Sequence, residues 1–224
     1  MDLRARLAAL DAALASFQGQ GSIEYDGPSG KLRSAHMVVV KAPDKLRIDF
    51  RSPFSLTYTV LSDGVTLVAY DRGEKVLYRG RPTSANLGRY ARVPVDLQTL
   101  ALLVRGVPPL PRDANAGTVT RVRGGWLWEA PMSGGGTLKV IFGADDLRPV
   151  ATSVVGVRGA DFTAYFEQYK NVGGVDVPHA IRADLPDGGR VQLSYAVVWR
   201  DRVHSDQAFH MEPPSGVNVV EMSE

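Results

Sequence analysis

The side chains able to do chemistry in this sequence are few and scattered. Its four histidines, His36, His179, His204 and His210, could in principle ligate a metal or exchange a proton near neutral pH. They stand in no metal-ligand spacing and beside no partner motif. His36 shares a strand face with Val38 and Val40 and reads as a histidine of a core or cavity. Ser29, in "GPSGK", lacks the glycine-any-serine-any-glycine spacing of a nucleophile elbow. "SGGGT" precedes a strand pattern, whereas a phosphate-cradling loop precedes a helix. Asp145 and Asp146 are paired carboxylates, but "GADDLRP" reads as an exposed hairpin turn. Trp126 and Trp128 project to the same side of one strand, where packing is favoured over stacking on a sugar. Cysteine is absent, which removes disulfides, thiolate metal sites and cysteine nucleophiles. The pattern implies no enzyme, metal or cofactor.

Charge narrows the partners further. With 26 Lys and Arg against 24 Asp and Glu, no whole-chain basic field would recruit nucleic acid. No stretch approaches the roughly 20 apolar residues of a membrane-spanning helix. Residues 1–18 lack the basic start, apolar run and small-residue cleavage site of a signal peptide. The 224 residues contain no long linker, so a single domain over 1–224 is expected.

The elements that hold these residues are mostly strands. Leu3, Leu7, Leu10, Leu14 and Phe17 form one stripe, which predicts an N-terminal helix of about 16 residues ended by Gly19 and Gly21. Thereafter the hydrophobic period is two. Leu46, Ile48 and Phe50 alternate with Arg47, Asp49 and Arg51, which predicts a half-buried strand. The same alternation gives Leu138, Val140 and Phe142, then Phe162 and Phe166, then Val191, Leu193 and Tyr195. Short turns such as "SDG", "DRG" and "PDGG" separate the runs and imply antiparallel meanders. About eleven to thirteen strands result, a number at which an open sheet curls on itself. The expected fold is mainly β: an incomplete antiparallel barrel with an N-terminal helix and a mid-chain helix. Tyr58 and Val60 lie on one face of "SLTYTVL" and Leu61 on the other, so part of the wall must be covered outside, by the N-terminal helix.

The segment "VPVDLQTLALLVRGVPPLP" stands apart. Pro94 suits a first helical turn, Asp96 the positive helix end, and Arg105 with Gly106 the other end, while Pro108, Pro109 and Pro111 forbid continuation. Leu97, Leu100, Ala101 and Val104 make one stripe and Leu102 and Leu103 lie off it, so the helix must be surrounded. At the mouth of a curved sheet it would act either as a fixed plug over a filled core or as a lid over a cavity.

In this order and spacing the chain resembles the bacterial lipoprotein-localisation family of LolA and LolB, closer to LolB. The resemblance is carried by Pro53 after a strand, the Pro94-Val95-Asp96 helix start, the Arg105 to Pro108 finish, and Tyr169, Gly174, Val177, Pro178 and Ile181 of a strand pair. It implies an unclosed barrel whose lid segment, 84–110, covers an apolar cavity for the acyl chains of lipoproteins or free lipid. The cavity would be lined by Leu46, Ile48, Phe50, Tyr58, Val60, Leu138, Val140, Phe142, Phe162, Phe166, Val191, Leu193 and Tyr195. It also implies a membrane-contact loop at Pro53 and Phe54, a partner carrier, a monomer, and a place in the periplasm or at the periplasmic face of the outer membrane. LolB-type proteins are anchored through an N-terminal cysteine, which this sequence lacks. The alternative is a non-transport envelope scaffold of the same fold, binding a protein through Arg121, Arg123 and a sheet edge.

Overall fold

A computed structural model describes residues 2–28, 30–51, 56–111, 117–132, 135–156, 161–202 and 204–223. Alternating side chains build its two halves. The first is a meander of β1 (Ser16–Gly27), β2 (Gly30–Lys41), β3 (Lys45–Arg51), β4 (Leu56–Ser62), β5 (Leu67–Asp71) and β6 (Val76–Gly80). Two helices follow, α2 (Ser84–Ala91) and α3 (Leu97–Leu103), after α1 (Leu3–Ala13) at the start of the chain. The second meander comprises β7 (Thr118–Val122), β8 (Gly125–Pro131), β9 (Thr137–Gly143), β10 (Pro149–Val155), β11 (Phe162–Val172), β12 (Val175–Asp184) and β13 (Arg190–Arg200). A short β14 (Asn218–Glu221) ends the series.

Among the described residues all fourteen strands join one open sheet in the order β14-β6-β5-β4-β3-β2-β1-β13-β12-β11-β10-β9-β8-β7. The two meanders meet where β1 pairs with β13, so the first strand of the chain lies in the middle of the sheet. Every pairing is antiparallel except β14 with β6, which is parallel and outside the expected meander. The edges are β7 and β14. One face of the sheet, with α1 and α3, forms a continuous core that includes Phe17, Ile48, Val60, Leu100, Trp128, Phe142, Phe166 and Leu193.

Two expectations are corrected at the N-terminus. The helix ends at Ala13, and Phe17 belongs to β1, fully buried. Its stripe position is accidental, because the inward alternation of a strand follows directly on the helical period. Gly19 and Gly21 do not terminate a helix; they sit inside β1 where other atoms crowd the backbone. A Cβ at Gly21 would lie 1.8 Å from the Ser194 carbonyl oxygen, at a register shift between Gln20 and Gly21. Glycine is the residue a close-approach bulge requires.

The second correction concerns the outer wall. α1 belongs to the inner core through Leu3 and Leu7. The outward cluster of Leu61, Val68 and Leu77 packs instead against Met211 and Val217, from the segment between β13 and β14. Asp49, expected on a wet face, is only 2% exposed. Arg47 Nε donates to Asp49 at 2.9 Å, Thr59 Oγ1 donates to it at 2.8 Å, and Arg47 Nη1 reaches the Ala208 carbonyl at 3.2 Å. A buried carboxylate is tolerated because these donors replace its water.

Candidate functional site

The mid-chain segment holds two helices rather than one. α2 is capped by Thr83, whose side chain accepts the Asn86 N–H. α3 starts after Asp96, which accepts the Thr99 N–H at 2.9 Å and the Thr99 hydroxyl at 2.6 Å. Pro94 therefore precedes the helix instead of opening it. All α3 side chains except Gln98 are buried, and burial continues through Val104, Arg105, Gly106 and Val107. The apolar off-stripe Leu102 and Leu103 are explained: the helix is enclosed on nearly all sides.

Its C-terminal end is fastened by three devices. Gly106 turns the chain at φ 74°, and the Gly106 and Val107 N–H groups bond the Leu103 and Leu102 carbonyls at 2.9 and 3.0 Å. The Tyr195 hydroxyl donates to the Val104 carbonyl at 2.6 Å. Arg105, 1% exposed, donates to the Ala101 carbonyl at 2.8 Å and the Leu14 carbonyl at 3.1 Å, and its Nη1 lies 2.8 Å from Asp11 Oδ1. Burial holds the guanidinium below its ordinary pKa, with Asp11 opposing the shift. The end of α3 is thus tied to α1 and to β13.

Under α3 lies an apolar cavity of about 50 Å³. Leu100, Leu103 and Val104 form its roof; Ile48, Phe50, Val191 and Leu193 form its floor from strands on either side of β1.

The other expected lining residues are distributed as follows. Leu46, Val60, Leu138, Val140, Phe142, Phe162 and Phe166 are buried in the same core but do not border the cavity. Leu97 and Ala101 are buried in α3 without reaching it. Tyr195 is buried as the latch on Val104. Tyr58 lines a neighbouring open cleft of about 440 Å³, together with Tyr78, Arg89, Tyr90, Arg92 and Asp71. Cleft and cavity share Ile23, Phe50, Ala91 and Val191 as walls. The membrane-contact residues Pro53 and Phe54 lie outside the described residues, as does Ser29.

The candidate chemical residues fall away from this cavity. Asp146 accepts the Arg148 N–H in the β9–β10 turn. Trp128 is buried in the core and Trp126 packs beside it under Arg121. His179 is buried, with Nδ1 3.1 Å from the Val177 carbonyl, and His210 lies 3.4 Å from Asp63. His36 is buried against the Tyr195 ring, at 5.4 Å between centroids, and neither ring nitrogen has a hydrogen-bond partner. Among the described residues no group of three His, Asp or Glu could hold a metal ion, and no helix is long and apolar enough to cross a membrane.

The sequence reading missed α2, which supplies Ala91 to the cavity, and the buried role of Arg105. "TSANLGRYA" did carry a threonine cap followed by helix formers, a usable signal. Nothing near Arg105 announced partners 91 and 94 residues away.

No family model and no curated protein matches the chain. Solved structures do. A DUF1329 family protein from Desulfovibrio piger matches with TM-score 0.66 at 14% identity, covering 93% of this chain and 95% of the other. A LolA superfamily protein from Nitrosomonas europaea matches with TM-score 0.62 at 15% identity, covering 94% and 98%. A domain described as an outer membrane lipoprotein-sorting protein, from Vibrio parahaemolyticus, matches with TM-score 0.64 at 13% identity, covering 92% and 94%. They do not single out a LolB-like relative. At such identities the shared property is architecture: the chain has the LolA-like fold, an open, mainly antiparallel sheet with helices between its two halves.

Proposed function

We propose that the protein is a periplasmic carrier, or a receptor at the periplasmic face of the outer membrane, for the acyl chains of lipoproteins or lipids. One observation carries this reading: an enclosed helix, α3, roofs an apolar cavity floored by Ile48, Phe50, Val191 and Leu193. The fold shared with the LolA superfamily protein and the sorting-protein domain supports it. Such a cavity needs no catalytic group, because each CH₂ withdrawn from water contributes about 0.8 kcal/mol. Loading then requires α3 to lift and widen the space beneath it. Release then follows an affinity difference, with about 1.4 kcal/mol giving a tenfold bias toward the acceptor. Pro53 and Phe54 are the proposed membrane-contact residues, and the single domain is proposed to act as a monomer.

Replacing Leu100 by Glu and titrating a dansyl fatty acid tests the proposal. Uptake should fall at least tenfold; uptake equal to the parent protein removes α3 from the binding role. The scaffold alternative draws on the exposed edge strand β7, with Arg121 exposed on it and Arg123 in the following turn. Native mass spectrometry after gentle extraction separates the two: co-purified lipid favours the carrier, its absence the scaffold.

A further inference from the structure

The cavity under α3 is apolar throughout, whereas the cleft that adjoins it is not. Ile23, Phe50, Ala91 and Val191 border both, so the apolar lining of the cavity runs on into the wall of the cleft. Beyond that wall the lining includes Tyr58, Tyr78 and Tyr90 and the two arginines Arg89 and Arg92. Among the described residues Asp71 is the one carboxylate in the lining, and its Oδ1 is occupied by the Gly73 and Glu74 N–H groups at 2.9 and 3.1 Å. Two cations against one anion among the described lining residues give an excess positive charge beside the apolar wall.

Arg92 is the C-cap of α2, in the left-handed region at φ 62°, and its N–H bonds the Leu87 carbonyl. Its side chain forms no ion pair with the described residues. The Arg89 guanidinium lies 5.5 Å from the Tyr90 ring centroid, and the Tyr90 and Tyr78 rings are 4.9 Å apart. Burial pushes the Tyr58 phenol well above its ordinary pKa, so it stays a neutral donor. A lining of cations and phenolic donors next to a hydrocarbon slot matches an anion attached to an acyl chain.

We infer that this cleft is a headgroup site, and that the preferred cargo is an amphiphile bearing a phosphate or carboxylate next to its acyl chain. The anion sits between Arg89 and Arg92 under the tyrosine hydroxyls, and the chain passes between Phe50, Ala91 and Val191 beneath α3. The inference rests on the acyl-carrier reading and adds a selectivity that the apolar cavity alone cannot give, since methylenes bind alike whatever head they carry.

The test is displacement of a dansyl fatty acid by competitors of one chain length: palmitoyl lysophosphatidylglycerol, palmitate, palmitoyl lysophosphatidylcholine and monopalmitoylglycerol. At low salt the first two should bind about tenfold or more tighter than monopalmitoylglycerol, since a charge-assisted hydrogen bond supplies that much. A phosphate preference appears as the lysophosphatidylglycerol arm exceeding palmitate, a carboxylate preference as the reverse. In Arg89→Gln with Arg92→Gln the preference should collapse, while monopalmitoylglycerol binds as before; both residues are exposed, so the fold is not at stake. Equal affinity for all four in the parent protein, or an unchanged preference in the double variant, overturns the headgroup site and leaves the carrier reading standing. Failure of all four and of the dansyl probe overturns both.

Discussion

The guanidinium of Arg105 lies 2.8 Å from the carboxylate of Asp11, joining the end of the roofing helix to the N-terminal helix across 94 positions of sequence. The arginine is 1% exposed and Asp11 keeps a third of its side chain in water. Its Oδ1 is buried against Arg105, but the exposed part of the side chain gives water a way to the carboxylate if the pair is broken. The carbonyls of Ala101 and Leu14 that Arg105 also serves cannot, because they are enclosed with it.

Replacing Arg105 by Met should accordingly destabilise the protein by about 3 kcal/mol, the cost of orphaned buried acceptors and a broken ion pair. Asp11→Asn should cost less than half as much. Urea unfolding of both variants checks the order; if Asp11→Asn is the more damaging, the ion pair outweighs the backbone bonds and this account of the fastening is wrong.

Tyr195→Phe removes only the hydroxyl that meets the Val104 carbonyl. The ring remains packed against Phe17 and His36. A loss of about 1 kcal/mol is expected, concentrated on opening of α3 rather than on global unfolding. Hydrogen exchange of the α3 amides should quicken roughly fivefold relative to that of β1, and acyl-probe association should quicken with it. Uniform acceleration across all strands would contradict this latch.

Gly106 sits at φ 74° with a Cβ position 2.1 Å from Cγ of Pro178. A proline ring cannot move aside as a flexible chain would. Gly106→Ala should therefore cost more than the roughly 1 kcal/mol of the left-handed backbone alone. Combining it with Pro178→Ala should recover part of the loss, measured as the thermal midpoint of the double variant against the two single ones.

His36 gives the protein an acid-sensitive core. Burial without hydrogen-bond partners lowers its pKa from 6.5 to about 4. The unfolded chain then binds a proton that the folded chain refuses, so stability falls as pH drops below about 6.5 and the loss levels off near pH 4. Between pH 7 and pH 5 the contribution is about 2 kcal/mol. In His36→Phe that part of the decline should vanish, as seen in urea midpoints at the two pH values.

Much of the architecture was legible because its determinants are local. Leu46, Ile48 and Phe50 alternate with polar neighbours, and α3 is bracketed by Asp96 and by prolines. The failures share a cause: the competing partner lies far away in sequence. Phe17 continued a helical stripe by position, yet β1 is claimed by β2 and β13 together. Asp49 read as wet because nothing beside it foretold the Thr59 hydroxyl that bonds it or the Ala208 carbonyl that bonds its partner Arg47. Of the candidate site, the roof residues Leu100 and Val104 and the floor residues Ile48, Phe50, Val191 and Leu193 were legible from periodicity. Which buried residues border the cavity was not, since periodicity marks a face and not a depth along it.

The central position of β1 has a consequence for biosynthesis. As the chain leaves the ribosome, β1 to β6 can zip into a meander at once, but the free side of β1 waits for β13, made some 170 residues later. During that interval the nascent half-sheet carries a raw β1 edge ten residues long, the length later paired with β13, and an uncapped hydrophobic face. Chaperone dependence and inclusion-body formation at high expression are the expected costs, and slowing translation after β6 should worsen them.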